Sequence, residues 1–292
     1  MTQKITNALS VCLISKNEAH AIARALTSIR REFGSIDIIV VDAESIDATT
    51  NIAKHMDARV FTKPWTGFAE ARNFALAQAT TEWVLFVDCD EAIEEGFAAK
   101  WTALNATNKN LPNCFSVRRR EFFLGRELYF GPGNPSHQWR LFRRSAVQFV
   151  GAVHEYPEFD GHIGSIESTG LLHWVQSDEP TAPENVFQDV VRFLNKMNHY
   201  TTLEALERFA QGQTTTLWHA FFTFFSTILK NGISYQGFRN GKEGVVLILL
   251  EAFSRTVRHL KLWVLWRKLP PQQVKTCQAD WSALNKPTVL RI

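Results

Sequence analysis

The sequence predicts an α/β fold, a mostly parallel sheet flanked by helices, followed by a helical C-terminal extension. Two observations carry this reading. Short apolar strands alternate with 10–15-residue helical patterns through the first 90 residues, the signature of β-α-β units covered on both faces. Beyond residue 213 the chain becomes a run of helical segments dense in Phe, Leu and Trp. The expected division is therefore an α/β domain over residues 1–212 and a membrane-associating helical extension over 213–292.

Ala8–Ile14 is the first strand, and apolar positions Ala19, Ile22, Ala23, Leu26 and Ile29 place a helix over Asn17–Arg31. The β-branched run Ile36–Val41 is the second strand. Ile46–Met56 follows as a helix with Asp47 early in it, where the dipole favours an anion. Ala58–Thr62, Gly67–Ala79 and Glu82–Val87 read as strand, helix and strand. After Glu91 the pattern changes. Asn113–Phe123 and Glu127–Phe130 form a hairpin around Gly125, and Gly131–Ser136 is a Gly/Pro loop suited to movement. Gln138–Arg143 and Ile166–Trp174 are further strands. Ala182–Ala210 is helical, and two helices occupy 214–269 around a glycine-bearing joint at 231–244.

Composition excludes several classes. Of 292 residues, 45% are hydrophobic and 21% charged, which rules out a disordered chain. A net charge of +3 is too weak a bias for a nucleic-acid binder, and no nucleic-acid partner is expected. Cys12, Cys89, Cys114 and Cys277 include no CxxC pair, so neither a disulfide framework nor a zinc site is indicated and a reducing compartment fits. The N-terminal segment lacks a signal-peptide core. The longest apolar stretches, Leu217–Leu229 and Gly244–Leu250, fall short of the roughly 20 residues needed to span a bilayer.

Ligands of open α/β sheets bind outside the carboxyl ends of the strands, and these strands end in suggestive residues: Ser15-Lys16-Asn17-Glu18, Asp42 through Asp47, and Asp88-Cys89-Asp90-Glu91. Neither GxGxxG nor GxxxxGK[ST] is present, which disfavours dinucleotide-binding and P-loop folds. Asp-x-Asp offers hard oxygen ligands suited to Mg²⁺ or Mn²⁺, which leave remaining positions to water and phosphate. Such an ion stabilises charge on a departing diphosphate. The plain alternative is an acidic, solvated helix start. A strand-end Asp42 could accept the imide N–H of uracil, selecting UDP over purine nucleotides, or could simply cap a helix.

Leu9–Glu18, Ile38–Asp47, Gly67–Leu76 and Trp83–Glu91 resemble, in order and spacing, the successive motifs of family 2 glycosyltransferases with the GT-A fold. Within that family the chain looks most like the bacterial lipopolysaccharide core β-glucosyltransferase type, with later motifs echoed in Gln138–Arg144 and Phe149–Glu155. The resemblance implies an inverting transferase using a UDP-sugar. It implies that Asp42 contacts uracil, Asp88 the ribose, and Asp90 the metal, while Ser15 and Glu18 line the nucleotide pocket and Arg72 approaches the base or diphosphate. Where many members carry Asp-Gly-Ser, this chain has Ala43-Glu44-Ser45, and Glu44 receives no role. An inverting displacement needs a carboxylate to take the acceptor proton, and Glu155 is the expected base. His154 would bind the diphosphate, complete the metal shell or orient Glu155. Arg140 is a candidate phosphate clamp, its plain alternative being a surface charge. The run Arg118–Arg120 reads as an alternating strand or as a patch for an anionic glycolipid acceptor.

In the C-terminal segment, Arg255, Arg258, His259, Lys261, Arg267 and Lys268 are interspersed with Trp263 and Trp266. Basic and aromatic residues on one helix suit an anionic membrane surface; an extra packed layer or a dimer interface are the alternatives. The expected partners are thus a UDP-sugar, a lipid-linked glycan and the inner face of the cytoplasmic membrane, with the protein cytoplasmic and peripheral. The rival from another class is a catalytically silent sugar-nucleotide-binding or scaffold protein on the same fold. A nucleotidyltransferase is disfavoured because Ser15-Lys16-Asn17-Glu18 is not a Gly-rich basic loop.

Overall fold

The computed structural model describes residues 9–107, 110–132, 136–151, 155–174 and 188–269. These divide into two compact units, one of residues 9–122 with 136–174, the other of 123–132 with 188–269. The division differs from the boundary expected at 212/213, because the helix at 188–210 belongs with the C-terminal helices.

The first unit is built on β1 (Leu9–Ser15), α1 (Ile22–Phe33), β2 (Asp37–Asp42), α2 (Thr49–His55), β3 (Arg59–Thr62), α3 (Phe68–Gln78) and β4 (Trp83–Phe86). The helix α1 starts five residues later than its apolar period suggests, since Asn17 has φ +56° and the chain turns before it can coil. Similarly α2 starts at Thr49, because Asp47 accepts the Thr49 amide at 3.0 Å and ends the loop there. Then come β5 (Glu91–Ile93), α4 (Phe97–Thr107), β6 (Cys114–Phe123), β8 (Ser136–Arg143), β9 (Val147–Val150), β10 (Tyr156–Phe159) and β11 (Ile163–Trp174). Between β6 and β8, Leu124 and Gly125, both at positive φ, turn the chain into β7 (Arg126–Leu128).

The main sheet runs β3-β2-β1-β4-β8-β6-β11-β5. Neighbours are parallel from β3 to β4 and between β6 and β11; β8 and β5 pair antiparallel with theirs. The side chains of β1 alternate between two cores. Leu9, Val11 and Leu13 pack with Ile22, Leu26 and Ile29 of α1, while Cys12 packs with Ala75 and Leu76 of α3. A strand buried on both faces has no room for polar alternation, which is why its sequence reads as a continuous apolar run. Cys12, Cys89 and Cys114 are buried free thiols, all pushed upward in pKa by burial.

The order of β2, β1 and β4 makes β1 the point where successive connections diverge to opposite sides. This is the switch point at which open α/β sheets bind ligands, and Ser15, Asp42 and the Asp88 loop all lie at its carboxyl edge.

The second unit contains α5 (Gln188–Ala210), α6 (Leu217–Leu229) and α7 (Gly241–Lys268). Leu262 of α7 is buried with Ala205 and Phe209 of α5. Asn240 ties the 129–130 backbone to the start of α7, accepting the Tyr129 amide at 2.9 Å.

Candidate active site

Asp42 closes β2 and is fully buried. Its Oδ1 accepts the hydroxyls of Ser15 (2.8 Å) and Ser45 (2.6 Å), and its Oδ2 accepts the Ser45 amide (2.8 Å). The loops after β1 and β2 are further laced by the Asn17 amide to Ser45 Oγ at 2.7 Å and the Ile46 amide to Asn17 Oδ1 at 2.9 Å. Glu18 joins through its amide to Thr49 Oγ1 at 2.8 Å, and its carboxylate lies 3.6 Å from His20. Asn17 and Glu44 both hold positive φ without being glycine, a local strain that the loop hydrogen bonds maintain. Beside Asp42 lies a shallow depression lined by Ile14, Ala43, Lys63, Pro64, Trp65 and Ala71 among others.

The Asp88 loop carries the denser cluster. Arg72, on α3 and buried, donates from Nη2 to Asp88 at 3.3 Å and from Nε to Glu155 Oε1 at 3.2 Å. Its guanidinium also lies over Phe86 and Phe149, 5.1 and 5.5 Å from the ring centroids. Asn73 holds the facing strand by exchanging two 2.8 Å hydrogen bonds with the Phe149 backbone. The structure thus brings together Asp88, Arg72 and Glu155, which are far apart in sequence. Glu155 Oε2 has no hydrogen bond among the described residues.

Arg140 is not a surface charge. It is 5% exposed, and its Nη2 donates to Asp88 and, at 2.7 Å, to Glu91 Oε1. A bulge aims it there: the β6–β8 register shifts between Phe115 and Ser116, leaving Arg140 as the extra residue of β8. Its Nη2 is spent on carboxylates, so the contact it shows is with the Asp88 loop. Burial works against a charged Asp88, but Arg140 and Arg72 outweigh it and bring its pKa down to about 2. Burial pushes Glu91 upward despite Arg140. Arg119 and Arg120 pair with Glu91, Glu121 and Glu94, so the basic run is largely consumed inside the unit rather than displayed as an acceptor patch.

Asp90 faces a residue that its local sequence does not announce. Strand β11 runs antiparallel to β5 with His173 opposite Glu91, and the Trp174 amide donates to the Asp90 carbonyl at 3.1 Å. His173 Nε2 stands 3.6 Å from Asp90 Oδ2, while its Nδ1 is hydrogen-bonded to Glu121. Burial would lower the His173 pKa, but Asp90 and Glu121 override it and raise it to about 9. Metal-binding histidines are commonly oriented by a carboxylate on one ring nitrogen, as Glu121 orients this one, while the other nitrogen here faces Asp90.

Among the described residues no three His, Cys, Asp or Glu side chains gather around one point. A hard divalent ion needs only one or two protein ligands when water and phosphate complete its shell. Asp90 with His173 fits that requirement. Asp88, tied to two arginines, serves the loop instead. His154 lies outside the described residues.

Residues 10–142 match the model of glycosyl transferase family 2. An uncharacterised glycosyltransferase of Rickettsia typhi is 26% identical over 261 residues, 87% of this chain and 86% of that protein. The lipopolysaccharide core biosynthesis glycosyltransferase LpsC of Rhizobium meliloti is 26% identical over 267 residues, 86% of this chain and 93% of that one. Among solved structures, S. aureus TarS 1–349 in complex with UDP-GlcNAc is 15% identical, with a TM-score of 0.46, covering 97% of this chain and 82% of that one. The ordered strand-end motifs, the carboxylate cluster at the switch point and these matches converge: residues 10–142 carry a glycosyl transferase family 2 domain, and the chain is a glycosyltransferase.

Proposed function

We propose that the enzyme is an inverting, metal-dependent transferase that moves a hexose from a UDP-sugar to a lipopolysaccharide core or related lipid-linked glycan. It would work in the cytoplasm, peripheral on the inner face of the cytoplasmic membrane, with its C-terminal helices as the membrane-associating part. The observation that carries the reading is the meeting of Glu155, Arg72 and Asp88, with Asp90 and His173 at the same strand end. The similarity to LpsC supports the acceptor class.

Asp90 and His173 would hold Mg²⁺ or Mn²⁺, which when bound offsets the negative charge on the departing diphosphate. Glu155, its Oε1 fixed by Arg72, keeps Oε2 for the acceptor hydroxyl. As the acceptor oxygen bonds to the anomeric carbon, the carbon–oxygen bond to the diphosphate breaks and the hydroxyl proton passes to Glu155 Oε2. Attack opposite the leaving group inverts the anomeric configuration. Asp88 would meet the ribose from a loop held by Arg140 and Arg72. The uracil would dock beside Asp42 against the aromatic face of Trp65, and Ser15 and Glu18 would belong to the same nucleotide site. A uracil N–H that used Asp42 would bond to Oδ2, which has one donor where Oδ1 has two.

The test combines a thermal-shift screen with two variants. With Mn²⁺ present, UDP-sugars should shift the melting temperature more than GDP- or dTDP-sugars. Glu155→Gln should retain that shift and lose sugar transfer, whereas Asp90→Ala should lose transfer and the metal-dependent part of the shift. Transfer by Glu155→Gln at the rate of the unmodified enzyme would remove Glu155 as the base.

A further inference from the structure

We infer that α6 and α7 form an interfacial anchor that lies flat on an anionic lipid bilayer, contacting it through two specific apolar stripes. The inference rests on the membrane placement proposed above and names its surface and lipid class.

The helix α6 contains no charged residue in its 13 positions, yet it is not a core helix. Trp218 is 71% exposed, Phe222 63% and Leu229 57%, with Phe221 and Phe225 about half exposed. Positions 218, 222, 225 and 229 follow the four-three-four spacing of one helix face. The opposite side carries the small buried residues Ala220 and Thr227. On α7, Val246, Leu249, Phe253, Leu260 and Val264 are exposed and repeat at the same spacing. That stripe is bracketed along the helix by exposed Lys242 and Arg267. The joint adds exposed Ile233 and Phe238, next to Lys230 and Arg239.

The charge is equally lopsided. Residues 217–269 hold eight Lys or Arg and two Glu, a net of +6 in a chain whose total is +3. Both acids are engaged, Glu243 with Arg126 and Glu251 with Asn231. Exposed apolar patches of this extent mark interaction surfaces. A second copy would bring +6 against +6, whereas an anionic bilayer supplies the complement. Long basic side chains at the ends of an apolar stripe can reach the headgroups while the rings enter the acyl boundary. No helix among the described residues is long and apolar enough to cross a membrane, so the two helices lie along the surface.

The experiment is co-sedimentation of the full chain with vesicles of phosphatidylcholine alone and with vesicles containing phosphatidylglycerol. Binding should require phosphatidylglycerol and weaken with salt. The pair Phe222→Glu and Phe225→Glu should lower partitioning by roughly 100-fold. The pair Lys242→Glu and Arg267→Glu should reduce the preference for the anionic lipid. The UDP-dependent thermal shift, measured on the same proteins, separates the two readings. A shift retained without vesicle binding shows that the folded protein has lost only the surface, while vesicle binding without any UDP shift overturns the donor and leaves the anchor standing. The anchor is overturned if the unmodified protein ignores both vesicles, or if the phenylalanine variants bind as well as it does. It is equally overturned if sedimentation shows a dimer that these variants disperse with vesicle binding unchanged.

Discussion

Glu121 touches His173 on the ring nitrogen opposite the one that faces Asp90. Its carboxylate is held low by His173 and Arg119 in spite of burial, so it fixes the ring and keeps Nε2 toward Asp90. Positioning partners of this kind change metal affinity without touching the metal. Glu121→Gln should therefore weaken Mn²⁺ binding about 10–100-fold, read by calorimetric titration of the nucleotide complex. Because a metal must replace the proton on His173, binding should release a proton below pH 9. An affinity unchanged in Glu121→Gln would mean that His173 is not a ligand. At this scale the sequence shows half of the site. Asp88 and Asp90 are legible because apolar strands end in them. His173, Glu121 and Arg119 are not, since their strands carry no mark of what will pair beside them. Glu91 reads as a third hard oxygen donor beside Asp88 and Asp90 or, in the plain alternative, as part of a solvated helix start, yet it is completely buried under Arg140.

Strand β11 is the element that delivers His173, and Gly170 lets it do so. The β6–β11 register shifts between Ile166 and Gly170, and a Cβ on Gly170 would overlap the Arg118 carbonyl oxygen of β6. The obstacle is backbone, which cannot turn aside as a side chain can. Gly170→Ala should cost about 1–3 kcal/mol, seen as a lowered melting temperature, and should also weaken Mn²⁺ binding through His173. Full stability in this variant would mean that the strand has slack to move. The alternating half of the fold, β1 through β4 with α1 to α3, is readable from periodicity because β1, β2 and β4 are buried on both faces and each helix on one, the edge strand β3 being half exposed. The short β5, the β9–β10 pair and α4 are not. A three-residue strand has no period, and β9 and β10, four residues each, are too short to display one. The bulge that aims Arg140 is likewise invisible, because one extra residue in β8 changes register without changing composition.

At the scale of the whole molecule, two buried histidines make its units respond to pH in opposite directions. In the metal-free first unit, His173 titrates near 9 against an unfolded value of 6.5. A raised folded pKa gives stability that is fully present below 6.5 and is lost as pH rises through 9. In the second unit, His259 is 7% exposed, and burial, with Arg258, His219 and Arg208 adding to it, lowers its pKa to about 4. The unfolded chain then binds a proton that the folded unit refuses, so stability is present above 6.5 and declines as pH falls toward 4. Each span is worth on the order of 3 kcal/mol. Asp88, depressed to about 2, adds a further loss only below about pH 4. Scanning calorimetry between pH 4 and 9 should therefore show the first unit strongest in acid and the second strongest in alkali, or, if they melt together, a melting temperature highest near pH 6.5. His173→Gln should flatten the alkaline arm alone and His259→Gln the acidic arm alone. Equal flattening of both arms by either substitution would show that the two histidines do not act in separate units, and a melting temperature that rises steadily across the range would show that neither titrates as its surroundings require.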